Sequence, residues 1–298
     1  DVDAVLQWHP GDRNAASPGS NLAVKSALFR FAGVSAHAAA SPDRGRSALD
    51  GIEAMNFMAN LMREHVPQQT RIHYVITDGG SAPNVVPDHA EVYYYVRHPQ
   101  AETVRSIFDR LVEAAEGAAA GTGTTVEYEV VGGAYERLSV VALQELVYEN
   151  LKVVGGVTWD AAEQEFAEAL KKTLPAEPPL GSERQIRPFE WQQGYASSDA
   201  GDVSWTVPTS TLSTATWVPG TAAHTWQTVA AGGVSIGVKG MMVAAKTMAF
   251  TAVDLYSDAA KLAKVRSEFL ERRGPNFVYS PLLGDRKPPL DYRASVMK

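Results

Sequence analysis

The sequence predicts an α/β protein in which a complete α+β lid, βαββαβ over residues 21–136, is inserted into an interrupted α/β domain made of residues 1–20 and 137–298. Two observations lead there. Between residues 22 and 131 the apolar positions switch between the two-residue repeat of strands and the 3.6-residue repeat of helices. Outside that stretch helical patterns dominate and strands are scarce, although an α/β domain needs a central sheet to receive its helices. The chain also opens on a strand-like stretch with no initiator Met. The expectation is a fragment, with most of the missing sheet upstream of Asp1.

Residues 2–8 read as a short buried strand ending in Trp8-His9-Pro10, followed by a loop marked by Gly11, Pro18 and Gly19. Residues 22–32 are extended, with Phe29 and Phe31 on one face and Leu28 and Arg30 on the other. Residues 45–64 have helical spacing through Leu49, Ile52, Met55, Ala59 and Met62. Residues 70–78 form a strand in which Ile72, Tyr74 and Ile76 alternate with Arg71, His73 and Val75. Pro83 and Pro87 bracket the connection to a strand at 89–97, where Ala90, Val92, Tyr94 and Val96 oppose Glu91, Tyr93, Tyr95 and Arg97. A helix at 101–119 and a strand at 124–131 complete a four-stranded antiparallel sheet with two helices on one face. The other face and an edge strand stay free to pair.

Beyond residue 136 the expected elements are a helix at 139–154 stopped by Gly155-Gly156, and a helix to about Thr173 begun by a capping box of Asp160 and Glu163. A long loop follows at 174–195, with Pro175, Pro178, Pro179 and Pro188. Then come a strand at 210–218, an apolar helix at 235–256, a helix capped by Asp258 and ended by Gly274, and a Pro-rich tail strapped over the surface from Pro275.

Composition narrows the function. The net charge of −7 argues against nucleic acid, which needs clustered Lys and Arg. There is no cysteine, so disulfides, thiolate metal sites and a cysteine nucleophile are excluded, and a metal site must use His, Asp and Glu. No run of 18 or more apolar residues predicts a membrane span, and the first residues lack the basic start and apolar core of a signal peptide. The expected location is cytoplasmic. No nucleophile elbow, P-loop or dinucleotide fingerprint is present, which disfavours a serine hydrolase.

Seven residues could carry chemistry. His9 sits at a strand's C-terminal end, where α/β sheets place ligands; it reads as a ligand or as a structural His. His224 lies among small residues in Gly220-Thr221-Ala222-Ala223-His224-Thr225-Trp226, as a metal ligand, a general base or a loop His. His37, in Gly33-Val34-Ser35-Ala36-His37-Ala38-Ala39, could donate to a developing oxyanion or bond to a turn's backbone. Asn84 is held between Pro83 and Pro87, as a presented amide or an Asx turn. Arg97 could clamp a carboxylate or be a solvated or salt-bridged Arg. Asp202, with Asp199 three residues before it, could bind metal or orient a His, or belong to a polar turn.

These motifs, in this order, resemble the M20 metallopeptidases and amidohydrolases. The resemblance runs from Asp1 to about residue 257 and includes Trp8-His9-Pro10, Gly45-Arg46-Ser47-Ala48-Leu49-Asp50, the Asn84 loop, the strand ending in Arg97 and Gly201-Asp202-Val203-Ser204-Trp205. It implies a two-domain enzyme whose ferredoxin-like lid makes a homodimer, and two divalent ions, Mn or Zn, in the catalytic domain. It implies His9 and His224 as ligands to one metal each. His37 and Asn84 would reach the neighbouring subunit's scissile carbonyl, and Arg97 would bind a substrate carboxylate. The implied activity is hydrolysis of N-acyl or N-aroyl amino acids by metal-activated water. The family's N-terminal stretch, which carries the remaining ligands and the general base, precedes the position of Asp1. This fragment alone is therefore expected to be inactive, unless that segment or another polypeptide associates with it. A different reading is a non-catalytic dimerisation or interaction module.

Overall fold

The computed structural model describes residues 2–176 and 179–286. In chain order the strands are β1 (Val5–Gly11), β2 (Gly19–Ser20), β3 (Ala23–Ala32), β4 (Arg71–Asp78), β5 (His89–His98), β6 (Thr125–Ala134), β7 (Gln192–Gln193) and β8 (Thr209–Ala215). The helices are α1 (Ala48–Met62), α2 (Ala101–Thr122), α3 (Val141–Val154), α4 (Ala161–Lys171), α5 (Ala200–Thr206), α6 (Trp226–Gly232), α7 (Ser235–Ser257) and α8 (Ala259–Arg273). They form two compact units. One gathers the described parts of Asp1–Ser20, Arg137–Gly194 and Val203–Val278; the other gathers Asn21–Glu136, Tyr195–Asp202 and the described part of Tyr279–Lys298.

The second unit is the βαββαβ fold. Its sheet is antiparallel throughout, in the order β4-β5-β3-β6. Period-two alternation puts Ala90, Val92, Tyr94 and Val96 of β5 and Phe29 and Phe31 of β3 under the helices, all fully buried. α1 and α2 answer with Ile52, Met55, Phe108 and Leu111. Each such side chain contributes about 1.5–3 kcal/mol by leaving water. α1 starts where Ser47 accepts from Asp50 N, and α2 ends at Gly123, whose φ of 67° suits a glycine. On the open face the register lines up Arg71 with Arg97, His73 with Tyr95, and Val75 with Tyr93. β4 is an edge strand, and only its Ile72 is buried. The segments 195–202 and 279–286, expected with the flanking domain, lie in this unit. Leu22 N donates to Ala196 O (3.1 Å), and Tyr279 Oη donates to Asp202 Oδ1 (2.7 Å).

The first unit is built on a parallel pair, β1 with β8, from Val5↔Thr209 to Gly11↔Ala215. β1 therefore starts later than the sequence predicts and continues through His9 and Pro10, because its pairing with β8 carries it on. Its residues are half-buried or exposed up to Pro10, since no further strand covers β1 among the described residues. α7 packs closely on β8: a Cβ at Gly240 would meet Ala215 O at 2.4 Å. α3 and α8 pack through Ala142, Leu143, Val265 and Phe269, while Val147 of α3 packs with Leu212 of β8 and Ala244 of α7. The Asp160–Glu163 capping box forms as its spacing predicts, and Glu163 also accepts from Lys239 of α7 (2.5 Å). Asn14, fully buried, ties the region beyond β1 together: its Nδ2 donates to Glu183 O (2.6 Å) and Gln185 O (3.2 Å), and its Oδ1 accepts from Ala215 N (2.9 Å).

Three expectations need adjustment. α5 and α6, seven residues each, carry no sequence signal, since so short a helix shows less than two turns of periodicity. α7 is long and apolar enough, with a mean hydropathy of 1.3, to match a membrane span by length and composition, although it contains no uninterrupted apolar run of 18. It packs on α3 and β8, and its Lys239 pairs with the buried Glu163. The loop expected at 174–195 contains the short strand β7, paired in parallel with β2. Asp1, Pro178 and the tail beyond residue 286 lie outside the described residues.

Candidate functional site

In the second unit, the loop carrying His37 and the loop carrying Asn84 extend the β3–β5 pairing past its end. Gly33 N bonds to Asp88 O (2.9 Å), Val86 N to Ala36 O (2.9 Å) and Ala38 N to Asn84 O (2.9 Å). His37 and Val85 form a bridge. The His37 side chain is exposed, and its Nδ1 accepts from Ala39 N and Ala40 N, both at 3.2 Å. Two backbone donors on Nδ1 leave the neutral ring's proton on Nε2, which points a donor away from the loop. The backbone bonds of the turn-His reading form, and they fix the orientation of the ring. The Asn84 side chain is exposed and makes no hydrogen bond among the described residues, so the expected Asx turn does not form.

Arg97 lies at the opposite end of β5. At ~3.4 Å per residue, the eight steps from His89 to Arg97 span roughly 27 Å, and the Asn84 loop continues beyond His89. One copy of this unit therefore keeps Arg97 well apart from His37 and Asn84. Arg97 is half-buried, its Nη1 donates to Ser197 Oγ (3.3 Å), its guanidinium lies over the Tyr95 ring at 5.2 Å, and its buried Nε has no partner among the described residues. It makes no ion pair among the described residues, unlike the salt-bridged Arg that composition alone allowed. Arg71 and His73 stand beside it; alternation put them on one face, but only cross-strand register reveals that they meet Arg97. Sequence reasoning missed this juxtaposition, in which the two line one cleft with Arg97.

In the first unit, His9 and the loop of His224 occur at the C-terminal end of the β1–β8 pair. Gly11 O accepts from Thr216 N (2.9 Å) and Trp217 N (3.1 Å), and Asp12 Oδ2 accepts from Gly220 N (3.1 Å). His9 is exposed, with Nδ1 2.7 Å from Pro10 O. A carbonyl can only accept, so Nδ1 holds the proton and Nε2 presents a lone pair, the state a metal ligand needs. His224 has a φ of 63° and is the non-glycine residue with positive φ among those described. Such strain persists where the surrounding structure fixes it, and it clusters at functional positions.

Both carboxylate oxygens of Asp202 are already hydrogen-bonded. It opens α5, where Oδ1 accepts from Tyr279 and Oδ2 from Tyr135 N (3.2 Å). Asp199 closes a turn to Asp202 N (3.1 Å) and accepts from Ser198 Oγ (3.4 Å), so the polar-turn reading holds. Among the described residues no group of three or more His, Asp or Glu could hold a metal ion. His9 and His224 have suitable donor chemistry but do not make a complete site.

The peptidase dimerisation domain of the M20 family matches residues 22–123. The chain is 37% identical over 295 residues to a p-aminobenzoyl-glutamate hydrolase polypeptide of Escherichia coli K12, covering 90% of this chain and 61% of that protein. It is 28% identical over 273 residues to Xaa-Arg dipeptidase of Mus musculus, covering 90% of this chain and 56% of that one. The crystal structure of an aminobenzoyl-glutamate utilization protein from Klebsiella pneumoniae shares the fold, with a TM-score of 0.51 at 19% identity over 85% of this chain and 55% of that one. The chain spans about three-fifths of the length of these relatives. The resemblance to the M20 metallopeptidases and amidohydrolases therefore extends along 90% of this chain, and residues 22–123 match the M20 peptidase dimerisation domain.

Proposed function

We propose that the whole protein carrying this chain is a metal-dependent amidohydrolase that cleaves the amide bond of N-acyl or N-aroyl amino acids and works as a homodimer. The observation that carries the reading is the 37% identity, over 90% of this chain, to a hydrolase named for aminobenzoyl-glutamate. The chemistry of the exposed side chains agrees. The Nε2–H of His37 and the amide of Asn84 are donors suited to a carbonyl oxygen gaining negative charge. Arg97 can hold the α-carboxylate of the released amino acid with two parallel hydrogen bonds. His9 and His224 would contribute to holding two divalent ions, Mn or Zn, together with ligands outside the described residues. Such ions, when bound, would acidify a water and polarise the carbonyl.

Distance supports the homodimer, if Arg97 and His37 serve one substrate. An amino acid spans ~3.5 Å, so one substrate cannot meet Arg97 and the His37 donor of the same copy. β4 has a free edge, and Tyr74, Val75 and Ile76 on it, with Phe57, Met58 and Leu61 on α1, are large exposed apolar side chains. Two β4 edges paired antiparallel about a two-fold axis would bring the partner's Asn84 loop, which follows its β4, beside this copy's Arg71 and Arg97.

Hydrolysis of N-aroyl amino acids by the whole protein, with and without a chelator, tests this reading; activity indifferent to chelation and to His224→Ala would sink it. The second reading is a non-catalytic dimerisation module for the 298-residue piece itself, favoured by the incomplete donor set among the described residues. Turnover by this polypeptide alone with added Mn²⁺ or Zn²⁺ would refute that second reading.

A further inference from the structure

The open face of the β4-β5-β3-β6 sheet holds two of its arginines in opposite ways. Arg30 of β3 is held by carboxylates: it donates to Glu91 of β5 (2.7 Å) and Glu129 of β6 (3.1 Å), and Arg286 shares Glu129 (3.1 Å). Its position is fixed, and its charge is neutralised within the fold. Arg97 of β5 makes no ion pair among the described residues and is held by neutral groups. Ser197 Oγ accepts from its Nη1 (3.3 Å), and its guanidinium carbon lies 5.2 Å from the centre of the Tyr95 ring. Asp199 lines the same cleft as Arg97 and Tyr95, but its Oδ1 accepts from Ser198 Oγ (3.4 Å).

Arg97 needs such a holder. Its direct cross-strand partner on β4 is Arg71, and like charges opposite each other repel. A long side chain in that position gains entropy by swinging into water. The Tyr95 ring opposes the swing, because an aromatic face attracts a cation without neutralising it. The ring is itself held. Alternation puts Tyr93 on the same side of β5, with the two ring centres 5.1 Å apart, and Tyr93 Oη donates to Tyr95 Oη (3.1 Å). Behind Tyr93, the buried Ser26 of β3 brings its Oγ within 3.5 Å of the Tyr93 hydroxyl.

A cation that takes an external anion must be placed by its neighbours and left unpaired by them. We infer that Tyr95, locked by Tyr93, is the positioning residue that presents Arg97 to the α-carboxylate of the substrate. This rests on the proposed amidohydrolase reading for the ligand, and on the open face alone for the placement. Tyr95 acts through Arg97, so its loss weakens carboxylate recognition and spares cleavage of the amide.

The test compares N-benzoyl-L-glutamate with its α-carboxamide, N-benzoyl-L-isoglutamine, in hydrolysis by the whole protein and in calorimetric binding. The wild type is expected to prefer the α-acid by about ten- to hundredfold through Arg97. Tyr95→Leu should shrink that preference by about three- to thirtyfold, through the KM of the acid and with kcat held within about twofold. Tyr95→Phe, which keeps the ring, should restore most of it. In an Arg97→Gln background Tyr95→Leu should change nothing further, because the group it places is gone. An equal rise in KM for both compounds overturns the inference, as does a Tyr95→Leu effect that persists without Arg97. Should Tyr95→Leu fail to fold by circular dichroism, Tyr93→Phe decides: an undiminished preference for the acid overturns the inference. Hydrolysis with an Arg97-dependent preference that Tyr95→Leu leaves intact keeps the amidohydrolase and removes the positioning role. If neither compound is hydrolysed, the amidohydrolase reading fails, while Arg97-dependent binding of the acid that Tyr95→Leu weakens still upholds the placement. Absence of any Arg97-dependent preference, in rate or in binding, overturns it.

Discussion

Mixing two inactive variants provides the sharpest test of the shared site. Arg97→Ala and His37→Ala are each expected to disable the whole protein, the first by losing a carboxylate contact and the second by losing an oxyanion donor, a loss of about 10²–10³ in kcat. The roughly 27 Å of β5 between His89 and Arg97 requires the two side chains at any one substrate to come from different copies. In a mixture equilibrated by co-expression, about half of the dimers are mixed, and in each of these one of two sites receives an intact Arg97 from one copy and an intact His37 from the other. Activity should therefore recover to about a quarter of wild type. The assay is initial-rate hydrolysis of an N-aroyl amino acid, with each variant alone as the baseline. A mixture no more active than its components refutes the shared site, because residues that act within one copy cannot complement each other in this way.

The remaining predictions concern the elements that hold these groups. Replacing Phe57 and Leu61 on α1 with Glu puts charge on a surface exposed by 65% and 56% in one copy, and light scattering should then report monomers; a persistent dimer would move the interface elsewhere. Asn14→Ala strands Ala215 N and two carbonyls in a buried setting, and should cost about 2–4 kcal/mol in urea unfolding; a loss under ~1 kcal/mol would contradict its tying role. Glu163 has burial raising its pKa, but bonds from Lys239, Ser235 and the Asp160 backbone overcome that and hold it below the usual carboxylate value. A depressed folded-state value gives stability that is present above the unfolded carboxylate range and is lost as pH falls through the folded value. Glu163→Gln should remove that component of the acid-side slope, and superimposable pH–stability curves for variant and wild type would refute it.

The βαββαβ unit was legible because its two periodicities are long and clean. Phe29 and Phe31, or Val92 and Tyr94, each have a neighbour that marks the opposite face. The capping box of α4 and the glycine stops of α3 and α8 were legible for a similar local reason. What sequence spacing could not supply was register. Arg71 and Arg97 are 26 positions apart, and nothing in either strand says that they are opposite. Nor could spacing find Asn14, whose three partners come from segments about 170 and 201 positions away. The same limit hid the allegiance of Tyr195–Asp202 and Tyr279, whose contacts in the second unit include hydrogen bonds to Leu22 and Asp202.

The two best-presented imidazoles show why this limit matters for chemistry. From sequence, nothing at His9 or His37 says which ring nitrogen holds the proton. The backbone separates them. At His9 a single carbonyl, Pro10 O, takes the Nδ1 proton and leaves Nε2 as a lone pair. At His37 two amides, Ala39 N and Ala40 N, take the Nδ1 lone pair and leave Nε2 as a donor. A ring that must bind a cation needs the first state, and a ring that must stabilise an oxyanion needs the second. The turn after each histidine therefore sets its chemical role, and exchanging the two turns would be expected to exchange the roles. Nitrogen-15 shifts of the two rings would show it directly: His9 as the Nδ1–H tautomer and His37 as the Nε2–H tautomer, with the same tautomer at both positions refuting the assignment.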